Sequence, residues 1–132
     1  MARLSLYLAL LVVALASYAA LTAPRIRIDG FLAEPFDLLG LTDTHYAEGY
    51  THRGFNRIEV GMTEGEVISI LGEPLYRWSP YGSRNVSKRF PEKAHYVALT
   101  YSHSPSSTHY RLRQVILDRD VVKEIRGYFY VD

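Results

Sequence analysis

Positions 4 to 23 of the 132-residue chain read LSLYLALLVVALASYAALTA and are interrupted only by Ser5, Ser17 and Thr22. A helix of ~20 apolar residues crosses the ~30 Å hydrocarbon layer of a bilayer, whereas the apolar stretch of a secretory signal usually runs ~7–15 residues. By length the segment reads as a membrane anchor. By composition it also reads as a cleavable signal, because Ser17 and Ala19 put small residues at the spacing signal peptidase accepts. A cut after Ala23 is the poorer site, since it would leave Pro24 at the new amino terminus. No polar stripe recurs at a helical period, so a buried core helix does not account for the run. Arg3 and the α-amino group flank one side, Arg25 and Arg27 the other. The positive-inside count is therefore a tie and leaves orientation open.

Residues 1–23 are set apart as transmembrane anchor or signal peptide. The remaining 109 residues carry 14 basic and 14 acidic side chains and allow one small domain. Cysteine is absent, which excludes a disulfide scaffold, a thiolate metal site, a cysteine nucleophile and a cysteine-linked lipid. Zero net charge argues against a nucleic-acid partner held by bulk electrostatics. The neutrality is a cancellation: residues 24–74 hold 4 basic and 9 acidic side chains, residues 75–132 hold 10 and 5. This predicts a dipolar domain whose basic, aromatic half suits an acidic partner or a membrane.

Residues 24–44, punctuated by Pro24, Gly30, Pro35 and Gly40, read as a spacer packed on the domain through Phe31, Phe36, Leu38 and Leu39. The domain proper is placed at 45–132. Tyr46, Tyr50, Phe55 and Ile58 lie near helical spacing, and Gly49 and Gly54 divide them into two short pieces. The strongest local signal is Gly61-Met62-Thr63-Glu64-Gly65-Glu66-Val67-Ile68-Ser69-Ile70-Leu71-Gly72-Glu73-Pro74. Thr63 and Glu66 form a capping box, Met62 and Val67 a hydrophobic staple, and Val67, Ile70 and Leu71 an apolar face. Gly72 suits a positive-φ position just past the helix, and Pro74 stops its continuation. Strands follow at Leu75–Trp78, Ala94–Ser102, Tyr110–Leu117 and Val121–Val131, the last two joined by Asp118-Arg119-Asp120 as a hairpin. The expected class is α+β: after the apolar helix, two short helices packed on a three- to four-stranded antiparallel sheet.

The order of these elements, with Ile58, Gly61-Met62-Thr63, Val67 and Leu71-Gly72-Glu73-Pro74, resembles the SmpA/OmlA (BamE-like) domain family. That family opens with isoleucine, two residues and GMT, continues to a valine and LLGxP, and then forms a sheet. The resemblance covers roughly residues 55 to 131. It implies an envelope protein that acts by binding, in the manner of outer-membrane assembly factors, with a protein partner and contact to anionic lipid. Lipoproteins of the family are anchored through a lipidated cysteine, which this chain lacks. The resemblance therefore implies inner-membrane anchoring through Leu4–Ala23 with the domain in the periplasm, or release to the periplasm after cleavage.

Candidate contact residues follow from the aromatic excess of 11 tyrosines. Trp78 and Tyr81 adjoin a basic loop with Arg84, Lys88, Arg89 and Lys93, and Tyr128 and Tyr130 flank Phe129 in the last strand. Alternation puts Tyr128 and Tyr130 on one face, with Tyr96 or Tyr110 nearby, as a contact patch. Chemistry is less well served. His45 and His52 are seven apart, a two-turn helical spacing, and His103 and His109 flank a Ser/Pro loop, but neither pair carries an acidic third ligand in a known pattern. His95 has no evident partner. No G-x-S-x-G elbow or glycine-rich phosphate loop occurs. Neither an enzyme nor a cofactor is expected, with a small hydrolase or metalloprotein on His103 and His109 the weakest alternative.

Overall fold

In the computed structural model, which describes residues 2–131, the apolar run is a single helix, α1 (Ala2–Asp29). Its side chains from Leu4 to Leu21 are all exposed. At ~1.5 Å per residue the segment Leu4–Asp29 extends ~39 Å, more than a bilayer's hydrocarbon thickness. The helix does not stop at Pro24, although proline there removes one backbone bond at a cost of about 3 kcal/mol. Tertiary contacts hold the last turn instead. Asn56 Nδ2 donates to the Pro24 carbonyl at 2.7 Å, Ile28 packs against the core, and Asp29 is buried in ion pairs.

Residues 24–44, read above as a spacer, thus hold the end of α1 and two further helical turns. Gly30, at φ +78°, reverses the chain into a 3-10 turn at Phe31–Ala33 and then α2 (Glu34–Leu38). Of the four apolar residues expected to pack here, Phe36 does so, its ring 5.1 Å from Phe129 and 5.2 Å from His109. Phe31, Leu38 and Leu39 are largely exposed.

The rest comprises β1 (His45–Tyr46), α3 (His52–Phe55), α4 (Glu64–Leu71), β2 (Tyr76–Trp78), α5 (Arg84–Arg89), β3 (Val97–Thr100), β4 (Ser102–His103), β5 (His109–Asp118) and β6 (Val121–Val131). Strands pair antiparallel in the order β2-β3-β5-β6, and β1 pairs separately with β4. The class is α+β. The β5–β6 hairpin closes through Arg119 and Asp120, at φ +54° and +83°, the primed turn that matches strand twist. The strand expected over Ala94–Ser102 is divided: Tyr101 turns into the core, its hydroxyl donating to the Gly72 carbonyl at 3.1 Å, and the chain leaves the main sheet to meet β1.

The α4 signals act as their chemistry predicts. Glu66 N donates to Thr63 Oγ1 at 3.3 Å and Thr63 N to Glu66 Oε2 at 2.8 Å, a reciprocal cap of about 1 kcal/mol. The turn before it is fastened to β6, with Gly61 N on the Val122 carbonyl and Val122 N on the Met62 carbonyl. Helices α3 and α4 bury Phe55, Val67 and Leu71 against Leu99, Val115, Leu117 and Val122 of the sheet. Gly127 of β6 is the bare spot where α1 and α3 settle: a Cβ there would lie 2.6 Å from Ile28 Cγ2 and 2.7 Å from Phe55 Cε1.

Candidate functional site

Strand alternation and register decide what each sheet face carries. On β5, Arg111, Arg113, Val115 and Leu117 face the helices, opposite Phe129, Gly127, Ile125 and Val122. The other face carries Tyr110, Leu112, Gln114 and Ile116 opposite Tyr130, Tyr128, Arg126 and Glu124. Following the ladder outward, Gln114 faces Thr100 and then Tyr76, while Ile116 faces Ala98 and then Trp78. Trp78, Tyr128 and Tyr130, proposed from sequence as contact residues, therefore share this outer face, joined by Tyr76 and Tyr110. Tyr76, Trp78 and Tyr128 are exposed, and the Tyr110 and Tyr130 rings lie 5.2 Å apart. Trp78 is fixed by its indole N–H, which donates to Thr100 Oγ1 at 3.2 Å.

Tyr81 has a different task. Its hydroxyl donates to Glu124 Oε2 at 3.2 Å and accepts from Arg126 Nη2 at 2.9 Å, and its ring meets Phe90 and Tyr96 edge-on. It thereby laps the Ser79–Tyr96 segment over the Glu124–Arg126 end of the outer face. The Arg126 hydrogen bond outweighs desolvation and holds the Glu124 carboxyl below its usual range. Arg84, Lys88 and Arg89 lie on α5, exposed and, among the described residues, without a carboxylate at ion-pair distance. Arg89 rests 5.5 Å from the Phe90 ring centre.

The motif residues Gly61, Met62, Thr63, Glu66, Val67, Leu71, Gly72 and Pro74 form the cap, face and stop of α4 and its seat on β6, as described above. They position structure.

Sequence reasoning missed the ionic cluster on the inner face. Asp29 and Arg113 side chains are 0% exposed and Arg111 is 2%. Asp29 Oδ2 accepts from Arg113 Nη2 at 2.6 Å and also pairs with Arg111 Nη1, while Asp29 Oδ1 has no hydrogen-bond partner among the described residues. Arg111 reaches Glu34 and Asp37 as well, and Arg25 of α1 pairs with the same two carboxylates. Desolvation pushes the Asp37 carboxyl up, but bonds from Thr42 and Arg111 and the charges of Arg111 and Arg25 bring it below its usual range. Thus arginines of the basic half neutralise acids of the acidic half. Arg77 does likewise with Glu64 and Glu73. The expected dipole is diminished by contact between the two charge sets.

A polar chain extends from this cluster. Arg113 Nε donates to Tyr50 Oη at 2.8 Å, and Tyr50 Oη lies 3.1 Å from His52 Nδ1. Desolvation first, then the Arg113 charge, lowers His52 to about 4, and desolvation raises Tyr50 to about 12. A histidine that refuses a proton in the folded state stabilises that state fully above the unfolded value of ~6.5. As pH falls from there toward 4 the unfolded chain takes the proton and that stability is lost. Urea unfolding followed by the fluorescence of Trp78 is expected to weaken by about 1–2 kcal/mol over this window, allowing for screening of the part-exposed ring. His52→Asn, which keeps an acceptor for the Tyr50 hydroxyl, should flatten the slope.

The remaining histidines separate. His45 stands opposite His103 across β1 and β4, not on a helix with His52, although His45 and His52 line one cleft of about 330 Å³ with Arg25, Asp37 and Arg111. His109 stacks on Phe36, their ring centres 5.2 Å apart. His95 has a partner after all, Asp118 Oδ1 at 2.7 Å. The Ser/Pro loop is organised by Asp43, which accepts from Ser106 N at 3.0 Å and from the Ser104 hydroxyl. No three of His, Asp and Glu gather as a metal-ligand group among the described residues. No protein-family model, curated protein or solved structure matches the chain.

Proposed function

We propose that the chain is a non-enzymatic binding or scaffold module of the cell envelope. In this reading α1 holds it in the inner membrane as a single span, with the domain on the periplasmic side. The outer sheet face docks an acidic protein partner. One observation carries the reading: Tyr76, Trp78, Tyr110, Tyr128 and Tyr130 gather on the face that helices α1–α4 leave bare, beside the exposed cations of α5. Aromatic rings offer large, stiff contact area, and flanking cations speed encounter with an acidic partner. The resemblance to the SmpA/OmlA family supports the periplasmic side, with α1 standing in for the missing lipidated cysteine. Continuity of α1 through Asp29 into the fold supports retention of the anchor over release by cleavage after Ala19. The alternative role for α5, reading anionic lipid, is weakened by its place. It lies with Tyr81 on the face opposite to α1.

A photo-crosslinking residue placed singly at positions 78 and 128 of the full chain, in cells, tests this. Both positions should trap the same envelope protein, and position 53, exposed on the helical side, should not. Lipid adducts alone, or none from either position, would overturn protein docking. The intact mass of the adduct-free protein in washed membranes should still include the segment Leu4–Ala23. A loss corresponding to residues 1–19 would replace the anchored form by a released one.

A further inference from the structure

The segment after α1 inverts the pattern of a surface helix. Phe31, Leu32, Leu38, Leu39 and Leu41 are 69%, 84%, 78%, 71% and 54% exposed. The polar residues of the same stretch point the other way: Glu34 is 3% exposed, and Asp37 is tied to Arg111 and Arg25. A soluble domain places its apolar residues inward, and a contiguous exposed cluster of this kind marks a contact surface.

Its occupant follows from where it lies. Gly30 reverses the chain, so that residues 31–38 run back beside α1, and Tyr18 Oη, inside the apolar run, reaches Glu34 Oε2 at 3.4 Å. Tyr18, Phe31, Leu38 and Leu39 line one open, apolar depression of about 500 Å³. The exposed apolar length of α1, Leu4 to Leu21, is ~27 Å by its helical rise, close to one hydrocarbon thickness. The membrane surface then falls at the level of Tyr18 to Arg25, where an aromatic hydroxyl and cations suit the interface. That is also the level of the apolar cluster.

We infer that residues 31–41 form an amphipathic foot lying in the interfacial layer of the bilayer that α1 crosses. Phe31, Leu32, Leu38, Leu39 and Leu41 enter the lipid, and Glu34 and Asp37 stay bound to the domain. This rests on the reading of α1 as a membrane span, and it makes the domain sit on the bilayer surface with no gap beneath it. Attraction is apolar, so anionic headgroups are not required.

The chain has no cysteine, so single-cysteine variants of the full protein take one label each. An environment-sensitive fluorophore is placed by Val12→Cys, Leu39→Cys or Val60→Cys, all at exposed positions. The labelled proteins are reconstituted in phosphatidylcholine vesicles brominated either deep in the acyl chains or close to the headgroups. Position 12 should be quenched most by deep bromine. Position 39 should be quenched several-fold more than position 60, and most by shallow bromine. Quenching at 12 with none at 39 overturns the foot and leaves the span standing. No quenching at 12 removes the span and the foot together. Emission at 39 that depends on protein concentration and not on bromine assigns the face to a second copy, and the foot is wrong.

Discussion

Asp29→Ala is expected to destabilise the protein by about 3–5 kcal/mol, because it leaves the Arg113 guanidinium without a carboxylate in a dry interior and takes one of three from Arg111. Arg111 and Arg113 are 2% and 0% exposed, and Asp29 is the carboxylate they share. The position sharpens the effect. Asp29 is the last residue of α1, where the helix dipole is negative and an acid is unfavourable by itself, so the two arginines must more than offset that. Urea unfolding of the full chain in micelles, read from Trp78, measures the loss. Removing the Asp29–Arg113 pair together should behave differently. Asp29→Ala combined with Arg113→Met leaves Arg111 and Arg25 balanced by Glu34 and Asp37, and should recover most of the stability, since an apolar group of similar volume commonly replaces a buried ion pair at little cost. Equal losses in the single and double variants would show that the pair acts through packing and not through charge.

Gly72→Ala should cost roughly 2–4 kcal/mol, from backbone strain together with a steric clash. Gly72 sits at φ +77° and ψ −172°, a region essentially reserved for glycine, and a Cβ would stand 2.6 Å from the backbone carbonyl oxygen of Glu48. That oxygen cannot swing aside as a side chain would. Its own carbonyl accepts from the buried Tyr101 hydroxyl, so a shift there disturbs the point at which the chain leaves the main sheet. Thermal unfolding of Gly72→Ala against Gly65→Ala, at a helical position with open space around it, separates the clash from a general glycine effect. Gly65→Ala should be neutral or slightly stabilising.

What could be read from the chain was what local chemistry decides. Thr63, Glu66, Gly72 and Pro74 interact with their own neighbours, so start and stop of α4 were legible, as was the β5–β6 hairpin from its alternation and short turn. The shared face of Trp78 and Tyr128 was half legible. Alternation orders side chains within one strand, but only the β2-β3-β5-β6 order unites them. The ionic cluster carried a signal that charge obscured: Arg111 and Arg113 fall on the same face as Val115 and Leu117. Their partners lie 74 to 84 positions earlier, in a stretch whose prolines and glycines suggested a loop. No local pattern links residues so far apart. The helix continues past Pro24 for the same reason, since what sustains it is contributed by α3, the sheet and the cluster.

If the domain docks a partner as proposed, the joint between α1 and the domain has a consequence for how that partner is found. Were residues 24–44 a flexible linker, the domain would wander ~25 Å from its mooring and present its binding face in every direction. The seam at Ile28, Asp29 and Gly127 removes that swivel. On the reading proposed here, the height and heading of Trp78 and Tyr128 above the bilayer become constants of the molecule. A target carried in the same membrane then meets them through lateral diffusion alone, at an effective concentration set by surface density instead of linker length. A target free in solution gains nothing from the arrangement. On that reading, rigid mounting would act as a selectivity filter of its own, favouring targets that hold their own epitope at matching height.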